Sequence, residues 1–94
     1  MKQLILKNKF TFNGELKQDG EVVHLTKKEL KIVKFLSSEK KVFTYAEIRK
    51  GVWGDAVMSN SSLMNFIMLI RQKTYDDIIL NHDKVGYEFN RSSE

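Results

Sequence analysis

Two amides and several soft apolar side chains share one side of the segment "SNSSLMNFIMLIRQKT", residues 59–74. Asn65 and Gln72 each offer a donor and an acceptor, the pair of groups that fits the N6/N7 edge of adenine. The methionine and leucine side chains beside them can pack on the C5-methyl group of thymine. This segment can therefore recognise a partner by hydrogen bonds and apolar contacts, either at base edges or on an apolar surface.

The residue types that support catalysis or metal binding are few and far apart. His24 and His82 are the only histidines, and the chain has no cysteine, so we expect no metal site. No histidine stands beside an acid and a nucleophile, and the sequence contains no glycine-rich loop of the kind that cradles a phosphate. The acidic pair Asp76-Asp77 fits the start of a turn. We therefore expect no catalytic residues, no cofactor and no enzymatic activity.

The composition is that of one small folded domain. Hydrophobic residues make up 41% and charged residues 30% of the 94 residues, which is ordinary for a globular protein. The net charge of +4 and the pI near 9.4 suit a polyanionic partner such as nucleic acid. The apolar run at 63–70 is far shorter than the roughly 20 residues that span a bilayer. Lys7 and Lys9 interrupt any signal-peptide pattern, so we expect a cytoplasmic location and no membrane partner.

The first part of the chain, residues 1–25, has the pattern of β-strands. "LILKNKFTFN" alternates polar and apolar residues with an imperfect two-residue period. Two turn signals follow, Asn13-Gly14 and Asp19-Gly20, each of which accepts positive φ at low cost. The pattern predicts an antiparallel meander of three or four strands.

Two capping boxes mark the starts of two helices. "LTKKEL" and "FTYAEI" each place a threonine three residues before a glutamate, the spacing at which side chains and backbone exchange hydrogen bonds at a helix start. The first helix is expected to run to about Ser37. The second is expected to stop at Gly54, because glycine is the usual residue after a helix end.

A third helix and a β-hairpin complete the predicted structure. The helix follows the loop "GDAVMSN", and its cap is Ser59, Asn60 or Ser61. The β-rich segments "DIIL" and "VGYEF" are joined across "NHDK", which predicts a hairpin. The predicted organisation is a single domain over 1–94, with an N-terminal sheet over 1–25, a three-helix core over 26–75, a hairpin over 76–90 and a tail over 91–94.

The segment "VHLTKKELKIVKFLSSEKKVFTYAEIRKGVWG" resembles the winged-helix effector domain of OmpR/PhoB-type response regulators, which carry "LT..E...L..L" and "V.S..EL...VWG" helices. "SSLMNFIMLIRQKT" falls where the family has its recognition helix, and "DIILNHDKVGYEF" falls on its wing. The resemblance implies an α+β fold, a winged helix-turn-helix with an N-terminal antiparallel sheet of about four strands, three helices and a C-terminal β-hairpin wing. The implied function is binding of double-stranded DNA in transcription regulation.

The resemblance also implies partners. Family members usually act under an attached receiver domain, and no phosphorylatable acidic pocket can be assembled from these residues. The chain is thus either an excised effector domain or an orphan regulator, and the family habit is a homodimer on tandem DNA half-sites. The loop formed by Asp55, Ala56, Val57 and Met58 matches a segment that touches RNA polymerase in some members.

The chain departs from the family pattern where charge is concerned. Family recognition helices usually carry several arginines on the outer face, whereas here Arg71 alone flanks it. Asp83 stands before the wing motif where the family often has an arginine, and Glu88 follows Tyr87 where a basic residue is frequent. Both wing residues put negative charge where phosphates should lie.

The third helix has two faces when it is wound at about 100° per residue. Leu63, Phe66, Ile67 and Ile70 cluster on one side, which we expect to face the core. The candidate DNA contacts of this helix are Ser61, Ser62, Asn65, Met68, Leu69, Arg71, Gln72 and Lys73.

Three interpretations of the outer face stay open. In the first it reads DNA without arginine, and Asn65 and Gln72 favour an A·T-rich site. Arg71, Lys73 and Lys84 then contact phosphates. In the second it is a protein interface, because methionines are flexible and adapt to varied partners. In the third it is covered by the wing or a neighbouring domain.

Weaker candidates for DNA contacts lie outside the third helix. Backbone N–H groups at a helix start bind phosphate readily, which favours Thr44 and Tyr45. Arg49 and Lys50 lie near the end of the second helix, and Lys84 lies in the wing.

Overall fold

The structure is a computed structural model that describes residues 4–54 and 59–90. The helices are α1 (Lys27–Ser37), α2 (Tyr45–Trp53) and α3 (Asn60–Lys73). The strands are β1 (Leu4–Ile5), β2 (Phe10–Phe12), β3 (Leu16–Gln18), β4 (Glu21–Val22), β5 (Phe43–Thr44), β6 (Ile79–His82) and β7 (Gly86–Phe89). The expected architecture is confirmed: a four-stranded N-terminal sheet, three helices and a C-terminal hairpin.

The N-terminal sheet is antiparallel, with its strands in the order β1-β2-β3-β4. A 3₁₀ turn over Lys7–Lys9, which the alternating pattern of "LILKNKFTFN" did not indicate, separates β1 from β2. Asn8 and Lys9 adopt φ of 55° and 66° there, and asparagine tolerates this left-handed conformation through local hydrogen bonding. The turn signal at Asp19-Gly20 is confirmed, since φ is 52° and 86° at its two residues.

The three helices begin at the predicted caps. Thr26 Oγ1 accepts from the Glu29 backbone N–H at 3.2 Å, and Glu29 Oε1 accepts from the Thr26 N–H at 2.9 Å. The same reciprocal pair forms at the start of α2. Ser59 caps α3 by accepting from the Ser62 N–H at 3.1 Å. Each cap satisfies backbone donors that have no partner inside the helix, and α2 ends before Gly54 as expected.

The C-terminal sheet contains a strand that the sequence did not indicate. Its order is β5-β7-β6, and β5 pairs through Phe43↔Tyr87 and Thr44↔Gly86. A strand of two residues is too short to show an alternation of polar and apolar residues. It is recognised only by its pairing with β7. A Cβ on Gly86 would lie 1.7 Å from the Phe43 carbonyl oxygen, so glycine permits this close pairing.

The core lies between the two sheets and the three helices. In α1 the buried apolar residues are Ile32, Val33 and Leu36, and the partly buried Leu30 and Phe35 pack against the same core. The buried residues contributed by the other elements are Leu6, Phe10, Phe12, Leu16, Phe43, Ile48, Val52, Leu63, Ile67, Ile70, Ile78, Ile79, Tyr87 and Phe89. In the described part of the chain, no helix is long and apolar enough to cross a membrane.

Candidate nucleic-acid interface

The inner face of α3 fixes its orientation in the fold. Leu63, Ile67 and Ile70 are buried to 1% exposure or less. Phe66, expected in the core beside them, is only half-buried and packs on Trp53 of α2 with ring centroids 5.6 Å apart. Burying each aliphatic side chain contributes about 1.5–3 kcal/mol. The opposite face of α3 is therefore directed outward.

Two basic side chains attach the C-terminal end of α3 to its neighbours. The Arg71 Nη2–H donates to the Ile79 carbonyl of β6 at 2.6 Å, and the Lys73 Nζ–H donates to Glu29 Oε1 at 2.7 Å. The Glu29 side chain is only 1% exposed. Both cations were expected at the DNA surface, and the structure engages both within the chain.

The ion pair with Lys73 sets the charge state of Glu29. Burial by itself raises the pKa of this carboxyl. The hydrogen bonds from Lys73 and from the Thr26 backbone N–H outweigh that effect, so the pKa lies below the ordinary glutamate value. Glu29 is therefore an anion at neutral pH, held between the start of α1 and the end of α3.

The outer face of α3 combines exposed amides with exposed methionines. Met64 and Met68 are 56% and 54% exposed, and Leu69 is 37% exposed. Asn65 and Gln72 are exposed, and their side-chain amides make no hydrogen bond to another described residue. A shallow concavity on this face is lined by Ser61, Ser62, Met64, Asn65 and Met68. No charged side chain lines it, so the surface can recognise a partner by hydrogen bonds and apolar contact.

Groups at the starts of α2 and α3 are already partly engaged within the chain. The Arg49 Nη1–H donates to Asn60 Oδ1 at 3.0 Å, which links α2 to the first residue of α3. Thr44 is exposed, but its hydroxyl accepts from the Glu47 backbone N–H at 3.1 Å. The hydrogen bond from the Thr44 N–H and the neighbouring Lys41 lower the pKa of Glu47. A carboxylate thus already stands where phosphate binding was expected.

The other weaker candidates for DNA contacts differ in whether their side chains already have contacts within the chain. Tyr45 is partly buried and packs edge-on against Tyr87, with centroids 5.6 Å apart. Lys50 and Lys84 are exposed and make no ion pair with a described residue. These two lysines are therefore the sequence-predicted cations that remain available to a phosphate.

The wing is the β6–β7 hairpin, whose turn contains Asp83 and Lys84. Lys84 has a φ of 62° and Val85 is 50% exposed at the tip. His82 Nε2 lies 3.0 Å from Glu88 Oε1 across the hairpin. Glu88 therefore has a partner within the wing, whereas Asp83 makes no ion pair with a described residue.

The structure brings together most, but not all, of the predicted site. The residues on the outer face of α3 form one surface, while Asp55, Ala56, Val57 and Met58 lie outside the described residues. The roles of Arg71 and Lys73 within the chain were missed. No sequence signal gives the contact between Lys73 and Glu29, because the two residues lie far apart in the chain and meet only after folding.

The sequence of this chain matches one family. Residues 20–89 match the family described as "Transcriptional regulatory protein, C terminal". The matched range includes all three helices and the C-terminal sheet. No match is found among curated proteins.

Solved structures share the fold at low sequence identity. A structure described as a novel family of redox sensors in the streptococci, evolved from two-component response regulators, has a TM-score of 0.78 at 20% identity over 96% of this chain. This chain covers 43% of that structure's length. The Klebsiella pneumoniae RstA DNA-binding domain in complex with RstA box has a TM-score of 0.77 at 19% identity, covering 97% of this chain and 99% of that one. The response regulator AdeR DNA-binding domain in complex with an intercistronic region has a TM-score of 0.71 at 21% identity. The match covers 92% of this chain and 97% of that one.

Proposed function

The chain belongs to the family of transcriptional regulatory protein C-terminal domains, and we propose that it binds double-stranded DNA sequence-specifically to regulate transcription. In the proposed complex α3 lies in the major groove and the β6–β7 wing lies near the minor groove. The observation that carries the proposal is the outer face of α3, where the side-chain amides of Asn65 and Gln72 are exposed without a hydrogen-bond partner among the described residues.

The geometry of α3 supports this placement. The major groove is about 12 Å wide and admits one α-helix, and the buried inner face of α3 leaves its other side free to enter. The RstA and AdeR domains, which share the fold, are bound to DNA in their structures. The same docking gives this chain access to base edges through Asn65 and Gln72.

In the proposed complex, phosphate contacts come from exposed lysines and from the start of α3. Lys50 and Lys84 supply free ammonium groups, and the first turn of α3 contains no acidic residue, so its N-terminal backbone dipole favours an anion. Ser61 and Ser62 add exposed hydroxyls in the same turn. The net charge of +4 favours approach to a polyanion.

Binding to a randomised duplex library at several salt concentrations tests the proposal. We expect an enriched site, and an affinity that falls as salt rises because bound phosphates release counterions. Asn65→Ala should weaken binding by about 1–3 kcal/mol and relax the preference at one base pair. Gln18→Ala, which removes an exposed amide in β3, is the control. If every duplex binds with a dissociation constant above about 10⁻⁴ M at low salt, that result contradicts DNA binding.

The exposed apolar side chains of α3 favour a second candidate function. Met64, Met68 and Leu69 together form a surface suited to protein partners, since methionine side chains adapt to varied shapes. In this alternative the chain is a degenerate winged helix that acts as a protein–protein interaction module. Met68→Glu would then abolish self-association or partner capture measured by size-exclusion chromatography. A monomer that captures no partner would argue against this function.

Two further partners are proposals from the family resemblance alone. Pairing of two copies on tandem half-sites is the habit of the family. The second proposed partner is RNA polymerase, contacted through residues 55–58. This segment lies outside the described residues.

A further inference from the structure

The exposed apolar side chains of the chain are concentrated on α3. Six large hydrophobic side chains are exposed among the described residues, and Met64, Met68 and Leu69 account for half of them. Scattered exposed apolar residues are normal, but three on one helix face form a patch. This patch coincides with the face that the proposed function places in the major groove.

Neither arginine in the described part of the chain is free to read guanine from this face. Arg71 donates to the Ile79 carbonyl, and Arg49 donates to Asn60 Oδ1. Recognition of guanine commonly uses a guanidinium that forks onto O6 and N7. The two arginines within the described ranges, 4–54 and 59–90, are both engaged within the chain, so the polar readout that remains comes from amides and hydroxyls.

The free amide of Asn65 stands among the apolar side chains. At about 100° per residue its direction lies between those of Met68 and Leu69, and all three are exposed. An asparagine amide fits the N6/N7 edge of adenine, and apolar atoms fit the methyl group of thymine. These two features belong to the same base pair.

We propose that the outer face of α3 selects A·T-rich duplex DNA by packing Met64, Met68 and Leu69 on thymine C5-methyl groups beside an adenine bound by Asn65. This inference rests on the proposed DNA binding and specifies its substrate. The methyl contacts take the place of the ionic readout that an arginine would provide. Selectivity therefore depends on apolar contact in the groove as well as on hydrogen bonds.

Replacement of thymine by uracil in the enriched site tests the inference directly. The substitution removes the C5-methyl group and keeps the Watson–Crick hydrogen bonds. We expect the dissociation constant to rise about fourfold for each contacted methyl, the size expected for burying one such group. Met68→Ala should reduce this difference between thymine and uracil duplexes. Lys50→Ala, a matched change away from the apolar patch, should weaken binding to both duplexes by the same factor.

Each remaining outcome decides against the inference in a distinguishable way. Equal binding of the thymine and uracil duplexes by the wild-type protein overturns methyl recognition and leaves DNA binding intact. Failure to bind either duplex overturns the proposed function together with this inference. If Met68→Ala dissociates a dimer and leaves the uracil effect unchanged, the methionines serve an interface between two copies. Circular dichroism of each variant confirms that the exposed substitutions leave the fold in place.

Discussion

Glu29 is the one charged residue that is buried within the described ranges, and two helices share it. Its Oε1 accepts from the Thr26 backbone N–H at the start of α1 and from Lys73 at the end of α3. A buried carboxylate is costly unless hydrogen bonds and a counter-charge compensate for lost solvation. The pair therefore couples the capping of α1 to the position of α3.

Lys73→Met should destabilise the fold more than the loss of an ordinary surface lysine. The substitution leaves the Glu29 carboxylate buried without its cation, and an unmet buried polar group costs about 1–3 kcal/mol. The cost stays below that of a fully buried pair because the Lys73 side chain is 37% exposed. Urea denaturation measures the effect. Lys31→Met, an exposed lysine of α1 without an ion pair to a described residue, is the control. Equal losses in both variants would contradict the role assigned to Lys73.

Stability should fall on acidification partly through Glu29. Because the folded pKa is lower than the unfolded value of about 4.3, the contribution of this group is fully present above the unfolded pKa. It is lost as the pH falls through the folded pKa. Glu29→Gln keeps a side-chain acceptor for the Thr26 N–H but cannot titrate. The difference in free energy of unfolding between wild type and Glu29→Gln should therefore shrink from pH 7 to pH 3. A constant difference would contradict this account.

The secondary structure elements differ in how well the sequence predicts them. Both threonine capping boxes and the helix stop at Gly54 depend on local hydrogen bonds and backbone conformation, and all of them were predictable. The strand β5 was not, because two residues carry no period and their pairing is long-range. The turn over Lys7–Lys9 was not predicted either, because its three polar residues lie between apolar residues that continue an approximate two-residue period.

The candidate site shows the same division between local and long-range information. The outward direction of Asn65 and Met68 follows from helical periodicity, so these residues were predictable from the sequence. The internal contacts of Arg71 and Lys73 depend on where β6 and α1 lie after folding. Charge alone therefore suggested DNA contacts for two residues that the fold uses to position α3.

Gly86→Ala should disrupt the junction between β5 and the wing. An added Cβ would lie 1.7 Å from the Phe43 carbonyl oxygen, so two backbone segments must separate. Overpacking of this kind typically costs about 1–3 kcal/mol, and occasionally more. At Gly51 of α2 an added Cβ instead meets the Phe35 ring at 2.2 Å, and a side chain can rotate where a backbone cannot. Thermal unfolding should show the larger loss for Gly86→Ala; a larger loss for Gly51→Ala would contradict this explanation.

At the scale of the whole molecule, the net charge of +4 and the proposed binding face are separate features. The concavity on α3 is lined by uncharged side chains, so in the proposed complex attraction to phosphates must come from cations elsewhere in the domain. In that proposal, long-range attraction brings DNA to the domain, and the uncharged face discriminates between sequences. The division assigns affinity and specificity to different residues.

Lys84→Ala and Lys73→Met should therefore affect DNA binding in different ways. Lys84 is exposed in the wing without an ion pair to a described residue, so its removal should reduce the slope of log affinity against log salt by about 1. Lys73 is bound to Glu29 at 2.7 Å, so Lys73→Met should leave that slope unchanged even where a less stable fold weakens binding. The affinities are measured on the enriched duplex from about 50 to 200 mM salt, below the unfolding temperature of each variant. A smaller slope for Lys73→Met would mean that Lys73 leaves Glu29 to contact a phosphate when DNA binds, and the buried Glu29 carboxylate would then lose its counter-charge in the complex.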